Sequence, residues 1–316
     1  MKNKIQNFPV TSFSAVMGLT GLSIVLGKFY HLQLIPKIFY DVSLFFVLSV
    51  FLLFILMYSL KFVLFPEEVK GDFNHKIRTN FFSAISISLL LLSVAFYTYY
   101  PLLAIPIWWV GLILHTFLTF RTIRFWIENS FDIKQFNPAW FIPVVGNLLI
   151  PITGVDLLPS IVSYFYFAVG LFFWIILFSL FLYRTIFHDH LPEKFIPTFF
   201  ILLAPPAIGF VSYIRLTASW DNFSLLLLLL SYFFLILLAT MYKKFFGLRY
   251  YISWWAFTFP LTAVTVASLV ALQITKYIEF LIISWLMLGV TLIAILIVSA
   301  HTIKNIVSGE ICVKEE

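Results

Sequence analysis

The chain has 316 residues, 62% of them hydrophobic and only 11% charged, with 39 Phe and 9 Trp. A soluble domain carries about 25% charged residues, so a water-facing surface is excluded and the solvent of this chain is lipid. Its net charge of +6 would suit nucleic acid, but the Lys and Arg residues sort to one side of the spans described next, which removes that class.

A membrane-spanning helix needs about 20 mostly apolar residues. The first such run, 8–27, follows a basic start, lacks a small-residue cleavage site and reaches a full membrane thickness, so it reads as a retained helix and not a removed signal. Further runs follow at 38–65, 79–99, 102–120, 138–158, 159–183, 196–216, 223–242, 251–272 and 277–302, ten in all. An even count puts both termini on one side. Sixteen Lys and Arg fall on that side, and four, Lys28, Lys37, Arg215 and Lys276, on the other. By the positive-inside rule both ends are cytoplasmic and the chain is a multi-pass protein of the cell's inner (plasma) membrane. The single cysteine, Cys312, leaves no internal disulfide and no cysteine-ligated metal.

The spans are of two kinds. Odd-numbered ones hold 33 Gly, Pro, Ser and Thr in 105 residues; even-numbered ones, with the tenth taken as 278–302, hold 20 in 117. Lipid-facing helices need only apolar side chains, whereas helices that pack closely or line a cavity need small residues and hydroxyls. The spacing of the odd spans suggests five stacked helical hairpins, with an inner ring of odd helices inside an outer ring of even ones. Pro143 and Pro151 in span five, Pro205 and Pro206 in span seven and Pro260 in span nine all fall in odd spans. Each removes a backbone donor and is expected to kink its helix, which membranes tolerate only inside protein or beside a wet cavity.

Coupled transport and catalysis usually need ionisable groups inside the membrane, and few are present. Asp41, Asp156, Arg215 and Glu279 lie at span ends, and no odd span has an acid near its middle. His115 in span four is the only deep histidine and reads as hydrogen-bonded packing. His188 and His190, in RTIFHDHLPEK, suggest a metal-dependent membrane enzyme, but no cysteine and no second cluster supports them. Glu67, Glu68 and Asp72 read as a solvated acidic hairpin. No nucleotide, phosphate or zinc-protease motif occurs, so no cofactor, no metal and no enzymatic activity is expected. What remains is an uncharged path lined by hydroxyls and aromatic rings. Helix N-termini turned toward it would favour anions, without separating an anion from a small neutral solute.

Several strings carry a family resemblance: WWAFTFPLT at 254–262, VVGN at 144–147, LPEKFIP at 191–197 with APP at 204–206, and RTNFF at 78–82. Together they resemble the tellurite-resistance/dicarboxylate transporter family, closest to bacterial members similar to the slow-type anion channels of plant guard cells. The resemblance implies a single all-α transmembrane channel domain over 1–316, five hairpins whose odd helices enclose a central pore, and a homotrimer with one pore per subunit. It also implies passive, gated conduction of chloride, nitrate and similar small anions. Other members of the family move malate and related dicarboxylates or are linked to tellurite resistance, which is the alternative function on the same fold. The family's plug position, a phenylalanine on the ninth helix just before Pro or Gly, matches Phe259. An apolar ring in a narrow neutral pore excludes water and bars ions. Polar positions on the odd spans supply pore-lining candidates: Ser12, Ser83, Ser86, Asn147, Thr153, Ser212, Thr262 and Thr265. One departure stands out: many relatives have prolines in helices one and three, and this chain has none at the corresponding places. Gly18 and Gly21 offer span one a bend, while Ser83, Ser86 and Ser88 do not break a helix as proline does.

Overall fold

A computed structural model describes residues 2–312, and their regular structure is entirely helical. Ten apolar helical stretches follow one another: α1 (Val10–His31), α2 (Lys37–Leu64), α3 (Arg78–Tyr97), α4 (Pro101–Glu128), α5 (Pro138–Gly154), α6 (Ser160–Phe187), α7 (Glu193–Thr217), α8 (Asn222–Thr240), α9 (Ile252–Thr275) and α10 (Ile278–Val307). Among the described residues, nine of these are long and apolar enough to cross a membrane, and α5 is shorter.

The two compositions correspond to two kinds of backbone. The even-numbered helices are continuous α-helix. Each odd-numbered helix opens with a 3-10 segment before turning α-helical: Val10–Ser12, Arg78–Phe82, Pro138–Phe141, Glu193–Leu203 and Ile252–Phe257. In α5 the switch happens twice, with a second 3-10 segment at Gly146–Leu149. The prolines explain three of the five. Pro143, Pro151, Pro205 and Pro206 stand within the first turn of an α segment, and Pro260 is the third residue of Thr258–Thr275. Each proline lacks the N–H that the preceding turn could accept, and the backbone changes its hydrogen-bond period at that place. These prolines thus stand where 3-10 geometry gives way to α within backbone that is helical on both sides. α1 and α3 make the same switch without an internal proline. In α3 it is held from outside, since Arg78 pairs with Asp72 at 2.7 Å and Arg121 donates to Thr79 Oγ1.

Burial divides the same way. In the most apolar stretch of α1, α3, α7 and α9, 61 to 83% of residues are buried, against 22 to 39% in the even-numbered helices. α5 is buried along almost its whole length. The even helices turn side chains such as Phe46, Leu53, Phe117, Phe233 and Leu296 outward, a surface that only lipid or another apolar face satisfies. Each odd helix packs on the even helix that follows it. The odd helices also touch in series, α1 with α3, α3 with α5, α5 with α7, α7 with α9, and α9 with α1.

The α1–α9 contact depends on glycine. A Cβ on Gly18 would lie 1.8 Å from Thr258 Oγ1, and one on Gly21 2.0 Å from Thr262 Oγ1. The α segment Phe13–His31 runs unbroken through both glycines, so they permit close approach and do not bend the helix. The acidic hairpin also differs from expectation. Pro66–Asn74 is a short helix, and Asp72 is buried, with Lys61 Nζ at 2.6 Å and Arg78 Nη1 at 2.7 Å. Lys61 donates as well to Phe8 O at 3.0 Å. Two cations hold this carboxylate inside, and Phe8 O helps to anchor one of them, Lys61; Glu67 and Glu68 remain exposed.

Candidate functional site

Two cavities lie end to end among the odd helices. The larger, about 700 Å³, is walled by residues of all five, including Ile24, Leu91, Thr153, Val211 and Thr262. The smaller, about 80 Å³, also takes residues from all five, including Met17, Ile87, Val145, Ala204 and Trp255. Three side chains belong to both walls: Leu149, Ile208 and Phe259. They form an apolar septum between the two spaces.

The local backbone places these three. Phe259 is the second residue of the α segment of α9, directly before Pro260. Leu149 ends the second 3-10 segment of α5, directly before the α segment Ile150–Gly154. Ile208 lies within a turn of Pro205 and Pro206 at the start of the α segment of α7. Thr258 Oγ1 donates to Trp255 O at 2.8 Å, and Thr262 Oγ1 to Phe259 O at 2.7 Å. These two bonds, with Gly18 and Gly21 behind the threonines, fix the turn that carries Phe259, which is itself half-buried while Leu149 and Ile208 are buried.

The cavities differ in charge. Among its described lining residues the smaller has no charged side chain. The larger is lined by two cations, Lys28 of α1 and Arg215 of α7, and one carboxylate, Asp156, just beyond α5. Arg215 is ion-paired with Asp156, and its Nε donates to Ile152 O at 2.9 Å. The rim includes His31, Thr98 and Pro101, all exposed, so this cavity opens at the end of the molecule where those residues lie.

Of the polar candidates, Thr153 and Thr262 line the larger cavity. The other six are buried away from both walls. Ser86 donates to Ser83 O and lies 2.9 Å from His115 Nδ1. Asn147 donates to Val144 O and Thr119 Oγ1, and Thr265 to Leu261 O. Ser12, Ser83 and Ser212 are buried, and among the described residues the hydroxyls of Ser83 and Ser212 have no partner. Hydroxyls in odd helices thus serve their own backbones and neighbouring helices more often than the cavity. Elsewhere, His188 packs on Tyr183 with ring centroids 5.1 Å apart. Between the two loop histidines, Asp189 pairs with Lys134 at 2.9 Å, and that hydrogen bond and charge hold its carboxyl below the ordinary range.

Sequence reasoning missed Leu149 and Ile208, which carry no chemical signal among so many apolar residues. It also missed that Lys28, counted only for its side of the membrane, and Arg215, read as a span-end charge, line one cavity. The spacing carried a hint: Lys28 lies seven residues from Gly21 and Arg215 seven from Ile208, two helical turns in each case.

Comparison with known proteins is consistent along the chain. It is 29% identical to an uncharacterized transporter of Methanocaldococcus jannaschii, covering 98% of each protein. It is 28% identical to the S-type anion channel SLAH2 of Arabidopsis thaliana, over 94% of this chain and 59% of the plant protein. It is 27% identical to a tellurite resistance protein TehA homolog of Haemophilus influenzae, over 81% of this chain and 78% of that one. These relatives are named as channels, transporters or a resistance protein, and none as an enzyme. The SLAC1 family, described as voltage-dependent anion channels, matches residues 7–303, and with that match the chain belongs to this family of membrane anion transport proteins.

Proposed function

We propose that the protein is a passive, gated channel for small anions of the chloride and nitrate type, closed by Phe259. The ten helical stretches act as five hairpins, with α1, α3, α5, α7 and α9 around the path and the even helices against lipid. The observation that carries this is the septum: Phe259, Leu149 and Ile208 are shared by two cavities that all five odd helices wall. An apolar constriction of this kind bars ions by excluding water. The wider space beyond it has a cationic wall and the narrower one is uncharged, so nothing on the path attracts cations selectively. Thr153 and Thr262 line the path, and the remaining polar candidates support its walls.

The chain forms one channel domain, assembles as a homotrimer with a path in each subunit, and sits in the plasma membrane with both termini in the cytoplasm. The larger cavity then opens outward. In planar bilayers Phe259→Ala raises anion current at least several-fold, while Phe259→Leu, which keeps an apolar body, stays nearly closed. Correctly folded Phe259→Ala with unchanged current would reject the plug. A second reading, a carrier of dicarboxylates or of an oxyanion such as tellurite, draws support from Lys28 and Arg215 facing one cavity. Reversal potentials across chloride, nitrate and malate gradients separate the two, because a carrier yields no conductance that follows the chloride gradient.

A further inference from the structure

The larger cavity holds three formal charges in fixed roles. The Arg215 guanidinium spends its Nε on Ile152 O and one Nη on Asp156, so these two side chains neutralise each other. Among the described residues Lys28 enters no ion pair, although it lines the same cavity. Its ammonium is therefore the uncompensated charge of a space enclosed by apolar helices, where a cation interacts with an anion more strongly than in bulk water. Guanidinium has five N–H donors, and Arg215 keeps some of them free. Seven residues separate Lys28 from Gly21 at the level of Thr262. That is about 10 Å along the helix at 1.5 Å per residue.

From this we infer that Lys28, assisted by the free edge of Arg215, forms an anion-binding subsite in the larger cavity, roughly two helical turns from the septum, and that Asp156 restricts it to monovalent anions. The subsite rests on the anion-path reading and extends it to selectivity. One uncompensated positive charge matches one negative charge on the ligand: a halide, nitrate or a single carboxylate. A divalent anion would have to face the Asp156 carboxylate with its second charge, and like charges in an enclosed site repel. Asp156 is thus a specificity-determining residue, and its removal would release Arg215 as a second cation.

The test measures thermal unfolding of the purified full chain while nitrate replaces sulfate at constant ionic strength, since a ligand that binds only the folded state raises its melting temperature. The readout is the difference between variants, which cancels general salt effects. In the wild type and Lys28→Arg, nitrate stabilises relative to sulfate. In Lys28→Gln the apparent nitrate affinity falls by about tenfold or more, the loss of one charge-assisted contact. In Asp156→Asn the preference shifts toward sulfate. An identical nitrate response in wild type and Lys28→Gln overturns the subsite, and an unchanged nitrate-to-sulfate preference in Asp156→Asn overturns the role given to Asp156. Conductance is read separately, with Lys28→Gln placed on the Phe259→Ala background. A several-fold drop in chloride conductance at low salt that closes at high salt supports the subsite, and equal conductance at every concentration opposes it. A silent Phe259→Ala variant would sink the channel reading, while the nitrate response still decides the subsite.

Discussion

Phe259 is one of 39 phenylalanines, and nothing in its own chemistry distinguishes it. Its position does. Thr258 and Thr262 flank it, each pressed against a glycine of α1, so the turn that carries it has no slack on that side. Gly21→Ala would force a methyl into Thr262, an overpacking that costs about 1–3 kcal/mol. The expected result is a lower melting temperature in detergent together with an altered resting current. A variant as stable and as closed as the wild type would show that the threonine yields freely. The sequence singles out Phe259 only because the string TFP sits in a family-like context, and the structure places it in the wall of both cavities. Leu149 and Ile208 were not legible, because an apolar side chain takes its role from what stands opposite, and here that partner lies on another helix. The hydroxyls misled in the other direction. Ser86, Asn147 and Thr265 look like lining residues, yet each satisfies a neighbouring carbonyl or side chain.

At the level of elements, proline marks the place where α5, α7 and α9 pass from 3-10 to α geometry. Composition made the two classes of helix readable, because lipid and protein interior demand different side chains. The switch in α3 was not readable, since it depends on Arg78 and Arg121 reaching outside the helix. The same corner holds the buried Asp72, which joins α2, the short helix Pro66–Asn74 and α3. Acidic neighbours suggested a solvated loop; the cation that buries Asp72 lies eleven residues earlier, beyond any local pattern. Asp72→Ala leaves Lys61 buried without its carboxylate, and such a loss costs about 3–5 kcal/mol. Lys61→Met leaves Asp72 paired with Arg78 and should cost clearly less. Unfolding of the two variants under identical conditions checks the order, and an equal loss would mean that Arg78 contributes little to holding Asp72.

For the whole molecule, the strongest constraint is that lipid accepts no unpaired backbone. Length and hydropathy therefore revealed nearly every helix, the short broken α5 being hardest because its turns are divided among four segments. Side assignment rests on sixteen Lys and Arg against four. In a Cys312→Ser background, Gln33→Cys should react with a membrane-impermeant maleimide added to intact cells, and Ser130→Cys should react only after lysis. The reverse pattern would invert the orientation. The pair of cavities was the least legible feature, since five segments spread over the whole chain contribute to each cavity wall.

One consequence follows from how thin the septum is. A polar-rimmed cavity of about 700 Å³ that reaches Phe259 shortens a barrier that, in plain bilayer, is about 30 Å of hydrocarbon. On the proposed channel reading an applied potential drops chiefly over the apolar stretch around Phe259, where each elementary charge exchanges about 2.3 kcal/mol per 100 mV. A halide resting beside Lys28 would feel little of that drop, and one crossing the aromatic ring nearly all of it. Occupancy of the wide chamber should accordingly be almost indifferent to voltage, while the crossing step responds to it steeply.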